Sequence, residues 1–381
     1  MLESQDELTV DQSNYKNIEK LCRIRHTSRV NLVRKITIVD DSYSGIIRNL
    51  FEQILADVKD GNSNLRSLDV SAKINLSTLD PELISQAIVN LEEFRIRDYR
   101  VRPLTPLHLE SIFGAMEQRM ELRILHLPSK YSGHVPSDPL MTSLMKLKDT
   151  NIFEYLKFPR RQAISLFNKM AENPIMKLKR INLERMDCSC VSADQFAAVL
   201  VRMEAVKLKR GINPGQVWFL FEKIASSEDM KLRELNLSQV SVSHIPPDIL
   251  SQGLAKLEEL DASNSKLTPG QVSAVFQQLA NSEHHNLRTL TLDHNDLSAV
   301  PSQILASAIS GLEEAGLVET CLTTNQLTGI FSLVAERKCP RMRRILLSGN
   351  HSLIPKELYD QAMMCQSSLS NGPIIKIDFS P

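Results

Sequence analysis

Few residues of this chain stand at spacings that do chemistry. Cys188 and Cys190 sit two apart in DCSCVS, and His284 and His285 are adjacent in SEHHN. A thiol pair invites redox or metal chemistry, and a histidine pair invites a metal. Neither has the CxxC spacing of a zinc or redox site, and neighbours in sequence at a helix end do not converge on one ion. The cysteines therefore read as small apolar filling on the turn after a strand, and the histidines as capping or simply exposed. The phosphate-cradling GxxxxGK and GxGxxG runs are absent, as is the HExxH of zinc hydrolases. The reading gives no catalytic residue, no cofactor and no metal. What remains is charge: KLKRINLERM (177–186) and VKLKRG (206–211) bring Lys179, Arg180, Lys207, Lys209 and Arg210 close in sequence, with Lys148 upstream. Such groups bind carboxylates or phosphates.

Composition limits what those charges can mean. Lys+Arg and Asp+Glu are 45 each in 381 residues, so no global field recruits nucleic acid or an anionic membrane. There is no zinc-finger or RRM signature, and few aromatics interleave with the basic residues, so no nucleic-acid partner is expected. The first residues, MLESQDELTVDQSNYKN, are acidic and polar where a secretory signal is basic then apolar, and no run of 18 apolar residues occurs. Six cysteines at 22, 188, 190, 321, 339 and 365 are too sparse for a disulfide scaffold. The expectation is a chain of the cytoplasm, or of the nucleus, with free thiols and no membrane partner.

The elements that must position these groups are repeated. KLEELDASNSKLTPGQ (256–271) returns as GLEEAGLVETCLTTNQ (311–326), a shift of 55 residues. A six-residue pattern, apolar at positions 1, 4 and 6, starts at Val33, Leu65, Leu91, Leu122, Leu147, Leu178, Met203, Leu232, Leu257, Leu287, Leu312, Met342 and Ile374, with Thr150 breaking the fourth position of one unit. From Leu65 to Met342 the spacings alternate between 25–26 and 29–31, so the repeat is a pair of units. Each start reads as a short strand: in LRTLTL, Leu290 and Leu292 point one way and Thr289 and Thr291 the other.

The longer units carry a helix. In LTPGQVSAVFQQLANS, Thr268 is the N-cap, Pro269 the first helical residue and Gln271 the partner of a capping box, with Val272, Val275, Phe276 and Leu279 on one stripe. NPGQVWFLFEKIASSE (213–228) and TPLHLESIFGAMEQ (105–118) repeat the design, while Pro246 and Pro301 open briefer helices. The run Val217 to Phe221 around the single tryptophan, Trp218, has five apolar residues, and one helix cannot turn all of them inward. A strand and a return helix that cannot hide their apolar faces alone must stack on their neighbours.

This sequence resembles the leucine-rich repeat family, in its ribonuclease-inhibitor-like subclass, over about residues 33–381. LRTLTLDHNDL (287–297) fits the family consensus with Asn295 at the ladder position, and MRRILLSGN (342–350) supplies Asn350. Val240, Met186, Ser265 and Thr320 stand there in other units, which argues against a continuous asparagine ladder. The resemblance implies an α/β solenoid, a horseshoe with a parallel concave sheet and convex helices. Its domains would be an N-terminal capping segment, 1–32, with a helix over 14–25, and a repeat domain, 33–381, of about 12–13 alternating units. Irregular bulges are expected near 94–103 and 144–159, and a closing strand over 374–379.

Position 2 of successive strands reads Arg66, Glu92, Arg123, Lys148, Lys179, Glu204, Arg233, Glu258, Arg288, Glu313 and Arg343. Alternating signs on adjacent strands cancel as a ladder. From Arg123 to Lys179 the alternation fails, and residues 146–235 hold 17 Lys+Arg against 11 Asp+Glu. Lys148, Lys179, Arg180, Lys207, Lys209 and Arg210 are thus the candidate contact for an acidic protein surface or a phosphate-bearing ligand. The expected function is a non-enzymatic scaffold that binds a protein on the concave face. Resemblance also leaves the recognition portion of a NOD-like-receptor-type assembly, or a GTPase activator similar to Ran GTPase-activating proteins, as alternatives.

Overall fold

The computed structural model describes residues 7–10, 33–40, 45–61, 63–72, 74–96, 104–118, 121–127, 142–150, 160–173, 176–209, 211–282, 285–336, 339, 341–350, 360 and 376–378. The fold is α/β, with parallel strands alternating with helices as in a leucine-rich repeat solenoid, and the chain divides into two compact units, Met1–Met186 and Asp187–Pro381. No described helix is long and apolar enough to cross a membrane.

In the first unit a six-stranded parallel sheet runs in chain order: β1 (Glu7–Val10), β2 (Lys35–Asp40), β3 (Ser67–Ala72), β4 (Glu93–Ile96), β5 (Ile124–His126) and β6 (Asp149–Thr150). Strand β7 (Arg180–Asn182) follows. Helices α1 (Gly45–Lys59), α2 (Pro81–Ile88), α3 (Pro106–Gln118) and α4 (Arg160–Glu172) alternate with the strands. The hexapeptide pattern does not mark β1, which pairs with β2 from Glu7 opposite Lys35 to Val10 opposite Ile38. The 14–25 segment and most of the two expected bulges lie outside the described residues.

The second unit repeats the plan with β8 (Ala205–Lys207), β9 (Glu234–Asn236), β10 (Glu259–Asp261), β11 (Thr289–Thr291), β12 (Glu314–Gly316), β13 (Arg344–Leu346) and β14 (Lys376–Asp378), each parallel to the next. Between them lie α5 (Ala193–Leu200), α6 (Pro214–Ser226), α7 (Pro247–Ala255), α8 (Pro269–Asn281), α9 (Ser302–Ser310) and α10 (Thr324–Ala335). In the hexapeptides from Leu65 to Met342 the described residues at positions 1, 4 and 6 go inside, as Leu287, Leu290 and Leu292 show, each 1% exposed. Thr150, which breaks the pattern, is also buried, and its hydroxyl donates to the Leu125 carbonyl at 2.7 Å, so the polar group carries its own partner inward.

Two rows inside the long helices hold the repeats together. Phe113, Phe167, Phe221, Phe276 and Phe331, spaced 54 or 55 apart, are all at most 1% exposed. Five residues before each stands a buried polar side chain: His108, Gln162, Gln216, Gln271 and Gln326. In α8 the Gln271 Oε1 accepts from the Thr268 N–H at 2.9 Å, closing the capping box, while its Nε2 donates at 2.7 Å to the carbonyls of both Val242 and Ile245 in the preceding repeat. Gln216 does the same for Cys188 and Val191, and Gln326 for Leu297 and Val300. His108 replaces the amide in α3: its Nε2 meets the Leu79 carbonyl at 3.0 Å and its Nδ1 the Thr105 hydroxyl at 2.6 Å. A carbonyl can only accept, so the ring proton lies on Nε2.

The ladder position is mixed, as the sequence indicates. Asn295 Nδ2 donates to Ala262 and Leu292, and Asn350 Nδ2 to Leu317 and Leu347. In the intervening units Ser265 and Thr320 turn their hydroxyls onto Ala262 and Leu317, and Val240 and Met186 are simply buried.

Replacing Gln271 with Leu keeps the volume but leaves the Ile245 carbonyl and the Thr268 N–H without this partner, and takes from the Val242 carbonyl one of its two donors, the other being the Ile245 N–H at 3.0 Å. Urea unfolding should show a loss of at least about 2 kcal/mol, against about 0.5 kcal/mol or less for the same change at exposed Gln277. Equal losses at the two positions would remove the amide row from any role in stability.

Candidate functional site

The solvent-facing side of each strand is set by alternation. With positions 4 and 6 inside, positions 3 and 5 lie on the other face, and strands β9 and β11 show the half-exposed, buried, half-exposed pattern that follows, whereas Ser67 and Asp69 of β3 are covered on that face too. Position 2, which the sequence pattern singles out, stands one residue ahead of the strands. Its carbonyl accepts from the next repeat: Arg288 N–H donates to Glu258 O at 2.7 Å, Glu313 N–H to Arg288 O at 2.8 Å and Arg343 N–H to Glu313 O at 2.7 Å. That ladder brings the alternating charges alongside. Arg233 pairs with Glu258, Arg123 with Glu92 at 3.7 Å, and Glu313 lies between Arg288 at 4.0 Å and Arg343 at 3.6 Å. Arg66 instead meets Glu121 at 3.0 Å.

The candidate contact residues are distributed over the two units. Lys148, Lys179 and Arg180 belong to the first, where all three are exposed and the Lys179 N–H donates to the Lys148 carbonyl at 3.1 Å. Arg180 is not an isolated cation. On the outward rows of β3 to β6, Ser67 donates to Glu93, Arg95 pairs with Glu93, and His126 meets Asp149 at 3.3 Å. The hydrogen bond from His126 holds the Asp149 carboxyl below its ordinary value against the opposing effect of burial, and the charges of His126, Arg180 and Arg95 add to the lowering. Lys207 and Lys209 belong to the second unit, half-buried at the outward position 5 of β8 and just beyond it. Arg210 lies outside the described residues.

On the second unit the rows neighbouring Lys207 have the opposite sign. Register sets Glu234, Glu259, Thr289, Glu314 and Arg344 side by side at position 3, and Lys207, Asn236, Asp261, Thr291, Gly316 and Leu346 at position 5. Asp293 follows β11 and accepts from the Val318 N–H at 2.8 Å. Burial, and secondarily the charge of Asp261, raise its carboxyl above the ordinary range despite that bond. These acidic rows were readable in the sequence from the same alternation that turned Thr289 and Thr291 outward.

The groups with reactive side chains take structural places. Cys188 is fully buried and burial pushes its thiol far up, which removes nucleophilic character. Cys190 is exposed, its Sγ 3.8 Å from the Asp187 carbonyl, and Cys321 and Cys339 are also free thiols. His284 lies outside the described residues. His285 packs so near the end of α9 that a Cβ on Gly311 would stand 2.7 Å from its Nε2, and its buried Nδ1 has no hydrogen-bond partner. Among the described residues no group of three or more His, Cys, Asp or Glu could hold a metal. Trp218 and Phe219 stand 43% and 44% exposed on α6, while Val217, Leu220 and Phe221 go inside, so the apolar run divides as one helical stripe requires.

No family model and no curated protein matches the chain. Among solved structures it is similar to a chain of the yeast Rad7 and Elc1 complex, with 15% identity, 91% of this chain and 74% of that one covered, and a TM-score of 0.45. A protein of Bacteroides fragilis matches with 11% identity, 98% and 73% covered, and a TM-score of 0.27. Likenesses at these scores carry no argument about this chain.

Two measurements test the site's electrostatics. A double-mutant cycle with Arg233→Ala and Glu258→Ala should give a coupling of ~0.2–1 kcal/mol that shrinks in 1 M salt, as an exposed pair does. Desolvation lowers the His285 pKa below its ordinary 6.5, so in acid the unfolded chain binds more protons there. Its contribution is whole above 6.5 and is lost as pH falls through that value toward the folded one. His285→Asn should therefore flatten the fall in urea midpoint on going from neutral pH to below 6; an unchanged slope would show that His285 is solvated.

Proposed function

We propose that this chain is a non-enzymatic scaffold that binds a partner protein on the outward faces of its parallel strands. The observation that supports this most directly is the register of those strands. Outward side chains stand in rows roughly 4.8 Å apart, on a base held by backbone pairing and by buried amides. A rigid base of this kind lets many exposed positions differ without loss of fold, which is what an extended recognition surface needs. The reading assigns no catalytic step and no cofactor. It places the chain in a reducing compartment, the cytoplasm or the nucleus, in keeping with the free thiols of Cys188, Cys190, Cys321 and Cys339.

In this reading Lys148, Lys179 and Arg180 on the first unit, and Lys207, Lys209 and Arg210 on the second, meet acidic groups of the partner. Charge of this kind sets association rate and orientation more than total affinity. The exposed pair Trp218 and Phe219 offers the contrasting surface, on a helix rather than a strand.

A partner captured by pull-down and identified by mass spectrometry provides the test, once purified. Lys148→Glu with Lys179→Glu, and separately Lys207→Glu with Lys209→Glu, should each weaken its binding by about tenfold or more at low salt, mainly through slower association. Melting curves should stay close to wild type. Reversing Arg288 and Arg343 should change binding little. Wild-type binding by both lysine variants, with loss on Trp218→Ser and Phe219→Ser, would move the contact to the helices and overturn the strand-face reading.

A further inference from the structure

We infer that the exposed face of α6 is a docking surface for a short arginine-bearing segment of another protein. It lies apart from the strand faces, and the inference does not rest on them. Among the described residues of the second unit, Trp218 and Phe219 are the large apolar side chains left exposed. Stacking does not ask for rings there, since the same two slots hold Ser273 and Ala274 on α8 and Thr328 and Gly329 on α10. At Gly329 a Cβ would stand 3.6 Å from the Ser302 carbonyl oxygen and 3.7 Å from the Ala306 Cβ, so this slot borders the first turn of the short helix before it. For Phe219 that turn is residues 193–197 of α5, which packs against α6 and carries the exposed Asp194.

A carboxylate stands between the rings. At about 100° per residue, Glu222 falls about 40° around α6 from Trp218 and about 60° short of Phe219, one turn further on. Long side chains on a helix lean toward its N-terminus, so the exposed Glu222 carboxylate is carried back over the turn that bears both rings. Among the described residues, neither its side chain nor that of Asp194 has a hydrogen bond or an ion pair. The Glu222 slot is Gln277 on α8 and Ser332 on α10, so of these three long helices α6 alone sets a carboxylate between two open rings. Lys223, the nearest cation in sequence, stands about 40° beyond Phe219, at the margin of the face.

Rings and carboxylate together choose the occupant. The open parts of the two rings come to roughly 200 Å², against about 800 Å² that each side of a stable dimer buries. The face therefore fits a short segment and not a second copy of the chain. An apolar segment laid over the rings would cover Glu222 without a partner, which is costly for a charge. Phosphate groups would be repelled by Glu222 and Asp194. A guanidinium answers both features: its flat face stacks on an aromatic ring, which attracts cations, and its N–H groups fork onto the carboxylate. Lysine brings a point charge with no flat face, so arginine fits better.

Trp218 is the single tryptophan of the chain, so its emission reads the site directly. The full chain is titrated with a 12-residue peptide of alternating arginine and serine, and with its lysine and citrulline versions, citrulline keeping the shape of arginine without the charge. The arginine peptide should change the emission saturably. Its lysine version should bind at least threefold more weakly and its citrulline version at least tenfold, with the differences shrinking at high salt. In anisotropy with a fluorescein-labelled arginine peptide, Trp218→Ser, Phe219→Ser and Glu222→Gln should each weaken binding at least fivefold while melting curves stay close to wild type. Lys223→Gln should bind at least as tightly as wild type, and Glu234→Gln with Glu314→Gln, on the strands, should stay within twofold of it. Unchanged emission, equal binding of the citrulline peptide, weakening on Lys223→Gln, or equal losses from the strand and α6 variants would each overturn the inference. Tighter binding of a thymidine oligonucleotide would assign the rings to bases, and self-association of the chain that Trp218→Ser abolishes would assign them to a second copy; either result overturns it too.

Discussion

The unit of β9 leaves a backbone carbonyl, that of Ile245, which it does not satisfy itself, while its Val242 carbonyl already takes the Ile245 N–H at 3.0 Å. After β9 the chain turns at Val240–Ile245, and the carbonyls of Val242 and Ile245 are reached by Gln271, an amide that arrives only with the next long helix. The same amide also accepts from Thr268 and thereby starts that helix. One side chain thus links capping to stacking, and neither is complete without the neighbour. A buried carbonyl without a donor costs about 1–3 kcal/mol, so a repeat at an open end is incomplete by that order at each such site. Stability in such an array passes from neighbour to neighbour.

The same logic explains why the strand entrances from Glu204 to Arg343 are so heavily charged and yet balanced in sign. Parallel pairing aligns position 2 of every repeat, and identical charges at the close spacing of adjacent strands repel. Alternation of Arg and Glu from Arg233 to Arg343 removes that repulsion, and the ion pairs follow. Sign alternation there favours stacking without being required by it, since Arg123, Lys148 and Lys179 stand in the same ladder with one sign. Positions 3 and 5 also hold like charges in register, as Glu234 beside Glu259 shows.

Most of this frame was legible in the sequence because it is periodic. Strand starts, the alternation of long and short units, the capping boxes at Thr268 and Asn213, and the interrupted ladder at Val240, Ser265 and Thr320 all follow from spacing. The capping-box glutamines were visible as helix starters, but their second bonds, to carbonyls 25 to 29 residues upstream, are set by stacking and have no local signal. His108 was hidden because the row changes residue type while keeping its hydrogen-bond roles. Strand β1 lacks the hexapeptide and depends on pairing with β2. The outward rows were missed for a different reason: position 2 looked like a face because its charges alternate, whereas the strand begins one residue later.

The period itself separates what the fold demands from what it leaves open. At intervals of 55, the interior slots keep their kind: Gln216, Gln271 and Gln326; Phe221, Phe276 and Phe331; Val217, Val272 and Leu327. Outward slots at the same intervals do not, as Glu234, Thr289 and Arg344 show on the strands and Trp218, Ser273 and Thr328 on the long helices. If stacking required an aromatic ring at Trp218, its two counterparts would leave the same gap unfilled, and they pack without one. If stacking required a carboxylate at Glu234, Thr289 could not serve in the equivalent strand. Residues at such slots are free of the fold's constraints, and it is there, on rows held in register by bonds made elsewhere, that a surface for another molecule can be built without unsettling the repeats beneath it.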